Sequence, residues 1–194
     1  VLALMVIAMP IVTVLFQRGE YSADDAASTA LALIVYGAGL PAFTFQKVLQ
    51  PLFYAREDTR RPFHYALVAM VVNAGLAIGL SPIIGFIAAA LGTTLASWAM
   101  VAQLWIGSRQ MGETVQIDQR LRSRALRIVA ASLIMGVWLW GLALLMGGPL
   151  SMPGWRIPAL AVLCVSGAAV YFIAGSMVGA YSVSELRGAL RRQR

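Results

Sequence analysis

Residues 40–62, LPAFTFQKVLQPLFYAREDTRRP, decide how this chain is read. An apolar helix carrying a lysine, Lys47, runs into a short turn dense in charge, and Pro62 then opens another apolar run. Proline suits that position, because the first turn of a helix has no use for the N–H that proline lacks. Further long apolar runs lie on both sides, each suited to cross a membrane. Composition agrees: 60% of the 194 residues are hydrophobic and 12% are charged, the profile of an integral membrane protein. At roughly 20 apolar residues per spanning helix, the length predicts an all-α polytopic membrane protein with about six transmembrane helices.

The net charge of +7 first suggests nucleic acid. The arginines, however, lie in short loops between apolar segments and form no stripe interleaved with stacking aromatics, so no nucleic-acid partner is expected. The single cysteine, Cys164, lies in an apolar segment. It allows no disulfide or cysteine-based metal site within one chain and is expected to be a small core residue. The single histidine, His64, has no catalytic or metal-binding company and is expected to hydrogen-bond at the membrane interface. The sequence holds no paired carboxylates, Ser-His-Asp set or phosphate loop, so neither an enzyme activity nor a cofactor is expected.

Residues 1–16 form an apolar run, with Pro10 inside, that falls short of a full span. The chain begins inside this run, with no charged segment ahead of it, and is expected to be the carboxy-terminal part of a longer protein. In the loop that follows, Ser22 and Asp25 have the spacing of a capping box, which starts the next helix near Ala23 and puts acids at its positive end. That second helix, about residues 25–53, is long for a span and must tilt, kink or protrude. A bend is expected near residues 37–41, where Gly37 and Gly39 precede Pro41.

Lys47 lies roughly 10 Å inside this helix from the loop, at about 1.5 Å per residue. A lysine at the centre of a membrane costs about 2.5–3.5 kcal/mol on insertion scales. Two readings fit it equally: a cation facing a cavity, and an anchor whose stem snorkels to the surface. In the loop beyond, Arg56, Arg60 and Arg61 outnumber Glu57 and Asp58, and surface ion pairs there are worth little.

The third helix, about residues 63–80, carries Asn73 with Gly75 and Gly79, which predict an interhelical hydrogen bond and close helix approach. Ser81 and Pro82 are expected to end it, and a fourth helix over residues 83–106 completes a tight hairpin, with Gly92, Thr93, Thr94 and Ser97 as its small or polar packing face. Residues 107–127 are the largest polar break, and their arginine-rich end suits an anionic membrane surface. A fifth helix over residues 125–146 carries Trp138 and Trp140 towards lipid or a partner. The loop GGPLSMPGWRIP is expected to be a flexible turn with Trp155 as an interface anchor. A sixth helix over residues 157–178 precedes a basic tail.

Arginines alternate along the loops. Loops two and four and the tail are rich in them, while the first holds Arg18 alone, the third none and the fifth Arg156. By the positive-inside rule, loops two and four and the carboxy terminus are cytoplasmic.

The motifs LFQRGEYSADDA and KVLQPLFYAREDTRRP, in this order and at this separation, resemble the MurJ (formerly MviN) lipid II flippases of the MOP exporter superfamily. The resemblance implies helices nine (partial) to fourteen of a fourteen-helix transporter in the bacterial cytoplasmic (inner) membrane. Residues 1–108 would end the second six-helix lobe, 109–124 would be a basic cytoplasmic linker, and 125–194 would hold a terminal helix pair and a cytoplasmic tail. It implies lipid II, the undecaprenyl-diphosphate-linked peptidoglycan precursor, as substrate, with membrane lipids and other cell-wall synthesis proteins as further partners. Lys47 matches a lysine of the family's tenth helix and would face the lobe interior, where a cation favours the diphosphate. Arg56, Asp58, Arg60 and Arg61 would form the cytoplasmic motif. Asn73 and Thr93 match part of a sodium pattern, but Ala77 stands where a carboxylate would be, which makes them weak ligands. A segment of this extent would supply about half of the cavity and would not flip lipid II alone. The alternatives are a related exporter of another polyprenyl-linked saccharide and a membrane scaffold for cell-wall assembly proteins.

Overall fold

A computed structural model describes residues 1–16, 22–109, 119–152 and 155–179. All regular structure among them is helical: α1 (Leu2–Val6), α2 (Ala8–Phe16), α3 (Ala23–Tyr54), α4 (Arg60–Ile84), α5 (Ile87–Arg109), α6 (Gln119–Leu145), α7 (Gly147–Ser151) and α8 (Arg156–Met177). Five of these (α3, α4, α5, α6 and α8) are long and apolar enough to span a membrane. The first apolar run is two helices rather than one. Pro10 cannot donate to the carbonyl of Val6, and its ring presses against it; the helix breaks next to that carbonyl, at Ile7, with φ −102° and ψ 15°.

The capping box starts α3 as expected. Ser22 Oγ accepts the Asp25 N–H at 3.1 Å, and Asp25 Oδ2 accepts the Ser22 N–H at 3.1 Å. The helix then runs unbroken through Gly37, Gly39, Pro41 and Pro51. At its far end the Asp58 N–H reaches back to the Phe53 carbonyl at 3.1 Å, and the Glu57 N–H bonds to the Tyr54 carbonyl at 3.0 Å. These are the paired bonds of a Schellman closure, which needs a left-handed residue between helix and turn. That residue is Glu57, with φ 59°, the one non-glycine at positive φ among the described residues.

Helix α4 starts at Arg60, before the expected Phe63, and runs past Ser81 and Pro82 to Ile84. The expected stop at Ser81–Pro82 is therefore wrong. Gly85, at φ 59° and ψ −141°, ends the helix in a conformation open to glycine, with its N–H bonded to Ser81 O at 2.9 Å. A proline near a carboxyl end removes one bond; a left-handed residue redirects the chain.

Helix α5 lies between α3 and α4, which barely touch each other. On the α4 side, a Cβ on Gly92 would stand 2.9 Å from the Asn73 carbonyl oxygen and 3.3 Å from the Ala77 nitrogen. The close approach thus comes from Gly92. Gly75 and Gly79, expected to provide it, have nothing within 4 Å of an added Cβ. The Asn73 side chain packs against Gly92 and, among the described residues, does not make the expected interhelical hydrogen bond.

On the α3 side, Gly39 admits Thr94, whose hydroxyl donates to Val35 O at 2.8 Å. Trp98 Nε1 donates to Ala38 O at 3.0 Å, and Gln46 Nε2 to Ser97 O at 3.0 Å. Beside the Glu57 turn, Gly107 of α5 fits under Tyr65 and Phe53, whose rings meet edge to face at 6.2 Å.

Helices α6 and α8 pair through Leu139, which sits on Gly167; a Cβ there would be 2.7 Å from the leucine Cδ2. Leu163 and Gly167 occupy the buried face of α8, so Cys164 is turned outward and is exposed, against expectation. Trp138, Trp140 and Trp155 are also exposed. The start of α6 lies within the stretch expected to be linker, and the expected flexible turn after α6 contains the single helical turn α7. The broken first helix joins the two groups: Ile7 and Val14 pack with Met135, Leu139 and Leu163, while Ala8 and Val12 pack with Ala26 and Ala30. Residues 110–118 of the linker, the loop residues 17–21 and the basic tail lie outside the described residues.

Two stability measurements on the detergent-solubilised protein check this account. Gly92→Ala is expected to cost about 1–3 kcal/mol, because the new methyl meets backbone that cannot yield, while Gly75→Ala is neutral or stabilising. At the turn, Glu57→Gly is expected to hold or raise stability by up to about 1 kcal/mol, whereas Glu57→Val lowers it by about 1–2 kcal/mol. Equal effects within either pair would contradict the packing or the turn described.

Candidate functional site

The carboxyl half of α3 has two faces. Ala42, Leu49 and Phe53 are buried, Leu49 and Phe53 joining Met100 and Leu104 of α5 in one apolar cluster. Leu40, Phe43, Thr44, Lys47, Pro51 and Tyr54 follow one another at helical spacing on the opposite, exposed face. Lys47 therefore projects away from α5. Among the described residues it makes no hydrogen bond or ion pair.

Helix packing explains this placement. Gln46, one residue before the lysine, is held to the Ser97 carbonyl, which fixes the rotation of α3 and with it the direction of Lys47. Sequence reading singled out Lys47 and missed Gln46. The available signal was Thr94 and Trp98, one helical turn apart on α5, whose polar groups are satisfied against the neighbouring α3.

The charged turn is a small structure in its own right. Asp58 accepts the Arg61 N–H at 3.2 Å through Oδ1 and faces Arg61 Nε at 3.2 Å through Oδ2, so it caps the start of α4 and holds one arginine in place. Arg56, Arg60 and Arg61 are all exposed. His64 Nδ1 donates to the Arg60 carbonyl at 2.7 Å, an intrahelical bond. Arg109, at the end of α5 beside this turn, lies 5.5 Å from the centroid of the Trp105 ring.

Asn73 and Thr93 lie on facing helices, since Gly92, the neighbour of Thr93, contacts Asn73. The Thr93 hydroxyl donates to the Ala89 carbonyl at 2.9 Å. Among the described residues there is no group of three His, Cys, Asp or Glu side chains able to hold a metal ion. Two isolated side-chain oxygens are far from the six or so that a hard cation takes.

In the second group of helices, a groove of about 410 Å³ runs along α6 and α8, lined by Ile134, Val137, Trp138, Leu142, Leu145 and Val170. A second cavity of about 520 Å³ lies where Leu2, Pro41, Val129, Ser132, Met135 and Tyr171 meet. The pair is tied at one end, because Arg127 of α6 donates to the Gly179 carbonyl just past α8 at 3.1 Å. A cation there also opposes the negative end of that helix.

Comparison with known proteins gives the family of the chain. The family model for "Lipid II flippase MurJ" matches residues 1–154. A probable lipid II flippase MurJ of Rhizobium tropici is 33% identical over 197 residues, covering 99% of this chain and 36% of the relative. Its counterpart in Rhizobium meliloti (strain 1021) is 33% identical over 193 residues, covering 98% of this chain and 36% of the relative. The chain thus spans about a third of the length of these relatives. A solved structure described as lipid II flippase MurJ in an inward closed conformation superposes with a TM-score of 0.71 at 22% identity, covering 92% of this chain and 35% of that one, and shares its fold. With the family model matching most of its residues, the chain belongs to the MurJ family.

Proposed function

We propose that this chain is the carboxy-terminal part of a lipid II flippase, which carries the undecaprenyl-diphosphate-linked precursor across the bacterial inner membrane by alternating access. Family membership supports the reading, and the single observation that carries it at the level of chemistry is Lys47. A lone cation within a spanning helix, turned away from its packing partner and unpaired among the described residues, is suited to an anionic diphosphate. Flipping breaks no covalent bond, so the protein has to supply a polar stop for the headgroup and an apolar path for the tail. The groove between α6 and α8 is apolar along its length and is suited to the tail.

In this reading the Glu57 turn, the end of α5 and the carboxy terminus face the cytoplasm. Residues 1–108 belong to a lobe, 109–124 to a basic linker and 125–194 to the terminal pair and tail. Arg56, Arg60 and Arg61, held at one end by the Asp58 cap, sit at the level of anionic headgroups. Asn73 and Thr93 serve packing rather than sodium.

The test is lipid II exposure on the periplasmic face of cells depleted of their own flippase and supplied with the full-length protein. Wild type and Lys47→Arg are expected to restore export. Lys47→Gln, inserted at wild-type levels, is expected to fall by about tenfold or more, as losing a hydrogen bond to a charged group costs about 1.5–3 kcal/mol. Wild-type export by Lys47→Gln would remove the lysine from the substrate path. Failure of the wild type itself to restore export would overturn the flippase reading.

A further inference from the structure

The exposed face of α3 carries more chemistry than a diphosphate needs. Gln50 and Tyr54 lie three and seven residues beyond Lys47, so both share its face; Tyr54 is exposed and Gln50 half-buried at the edge. Neither side chain makes a hydrogen bond with any described residue. Thr44, one turn before, gives its hydroxyl hydrogen to the Leu40 carbonyl at 3.3 Å and keeps its oxygen as an acceptor. Pro51 adds a further group: with no N–H to donate, it leaves the Lys47 carbonyl without its helical donor on this same face.

The inventory is mixed. Lys47 Nζ only donates, the Gln50 carboxamide and the Tyr54 hydroxyl donate and accept, and the Lys47 carbonyl only accepts. An ionised diphosphate only accepts, so it can use the lysine and has no use for the carbonyl. Acceptors beside donors, with an aromatic ring next to them, match a saccharide, whose hydroxyls both donate and accept and whose C–H faces pack on rings. In a membrane helix such groups favour a polar partner, at a smaller cost than a charge when they lack one.

We propose that Gln50 and Tyr54 determine specificity, reading the saccharide joined to the diphosphate that Lys47 holds. The proposal rests on the flippase reading. It divides recognition along one helix face: charge at Lys47, sugar at Gln50, Tyr54 and the freed Lys47 carbonyl.

The experiment measures binding of two lipids to the full-length protein in nanodiscs by native mass spectrometry. One is the saccharide-bearing lipid II; the other is undecaprenyl diphosphate, which lacks the sugar. Wild type is expected to favour the first. Gln50→Leu and Tyr54→Ala are each expected to weaken lipid II binding by about five- to twentyfold and leave undecaprenyl diphosphate within twofold, which also shows that the variants are folded. Tyr54→Phe keeps the ring and isolates the hydroxyl, and should lose part of the same selectivity. Lys47→Gln should weaken both lipids together. The proposal is overturned if Gln50→Leu and Tyr54→Ala leave the preference for lipid II unchanged, or weaken both lipids equally. Binding of neither lipid by wild type would overturn the flippase reading along with it, an outcome distinct from the other two.

Discussion

The fold depends on how closely α5 approaches its two neighbours. Lipid tails are as apolar as the side chains they would replace, so helix association in a membrane draws on contact and on hydrogen bonds rather than on escape from water. Both are concentrated on α5. Gly92 lets the Asn73 backbone come near, Gly107 accepts the Tyr65 and Phe53 rings, and across from Thr94 it is Gly39 of α3 that yields space. The hydrogen bonds that go with this contact run from side chains to main-chain carbonyls, with Thr94 and Trp98 reaching Val35 and Ala38, and Gln46 reaching Ser97 in return. No buried side-chain polar atom among the described residues is left without a partner. The polar groups of the interface therefore act as fasteners and also fix its register, since a slip of one residue would strand all three.

That register decides what α3 presents on its other side. Gln46 is taken into the interface, and its neighbour Lys47 is thereby turned out of it. An exposed lysine in a membrane helix would be a liability if rotation were free, because it would sample lipid; clamped by three bonds, the helix keeps it at one azimuth. The turn after α3 is held with similar care. Phe53 packs under α4 and α5 while its carbonyl accepts the Asp58 N–H, and the Asp58 carboxylate in turn caps α4. The lysine is thus placed by helix packing, and Arg61 by the Asp58 carboxylate at the end of the same stretch.

The spanning helices were legible in the residues, for reasons that can be named. Apolar run length fixed the spans, since hydrophobic thickness leaves little choice. Ser22 and Asp25 announced the start of α3 because a capping box is local, needing no information from elsewhere in the chain. What depended on a second helix was not legible. Gly75 and Gly79 look like a contact pair in sequence beside Gly92 of the packing face of α5, and only the neighbour's position shows that Gly92 makes the contact without them. Cys164 failed for the same reason, as an all-apolar helix gives no periodicity to tell its buried face from its lipid face. Lys47 stood out by cost, whereas Gln50 and Tyr54, far less costly in a membrane, did not.

The prolines show the limit of local rules most clearly. Pro10 breaks its helix, yet Pro41, Pro51 and Pro82 all lie inside continuous ones. The difference follows from what surrounds them. Pro41 lies between Trp98's bond to Ala38 and Gln46's bond to Ser97, so tertiary contacts hold the helix on either side of the missing N–H. Pro82 sits in the last turn, where Gly85 closes onto Ser81. Pro10 stands in the first turn of α2, where its missing N–H has no intrahelical partner to lose, and no side-chain bond of the kind that flanks Pro41 spans the break at Ile7 among the described residues. In lipid, a proline's freed carbonyl has no water to turn to, so each continuous helix that keeps one has to tolerate that acceptor or find it a use. For Pro51 the freed carbonyl is that of Lys47, and the same backbone position therefore carries both an ammonium donor and a main-chain acceptor on the exposed face of α3.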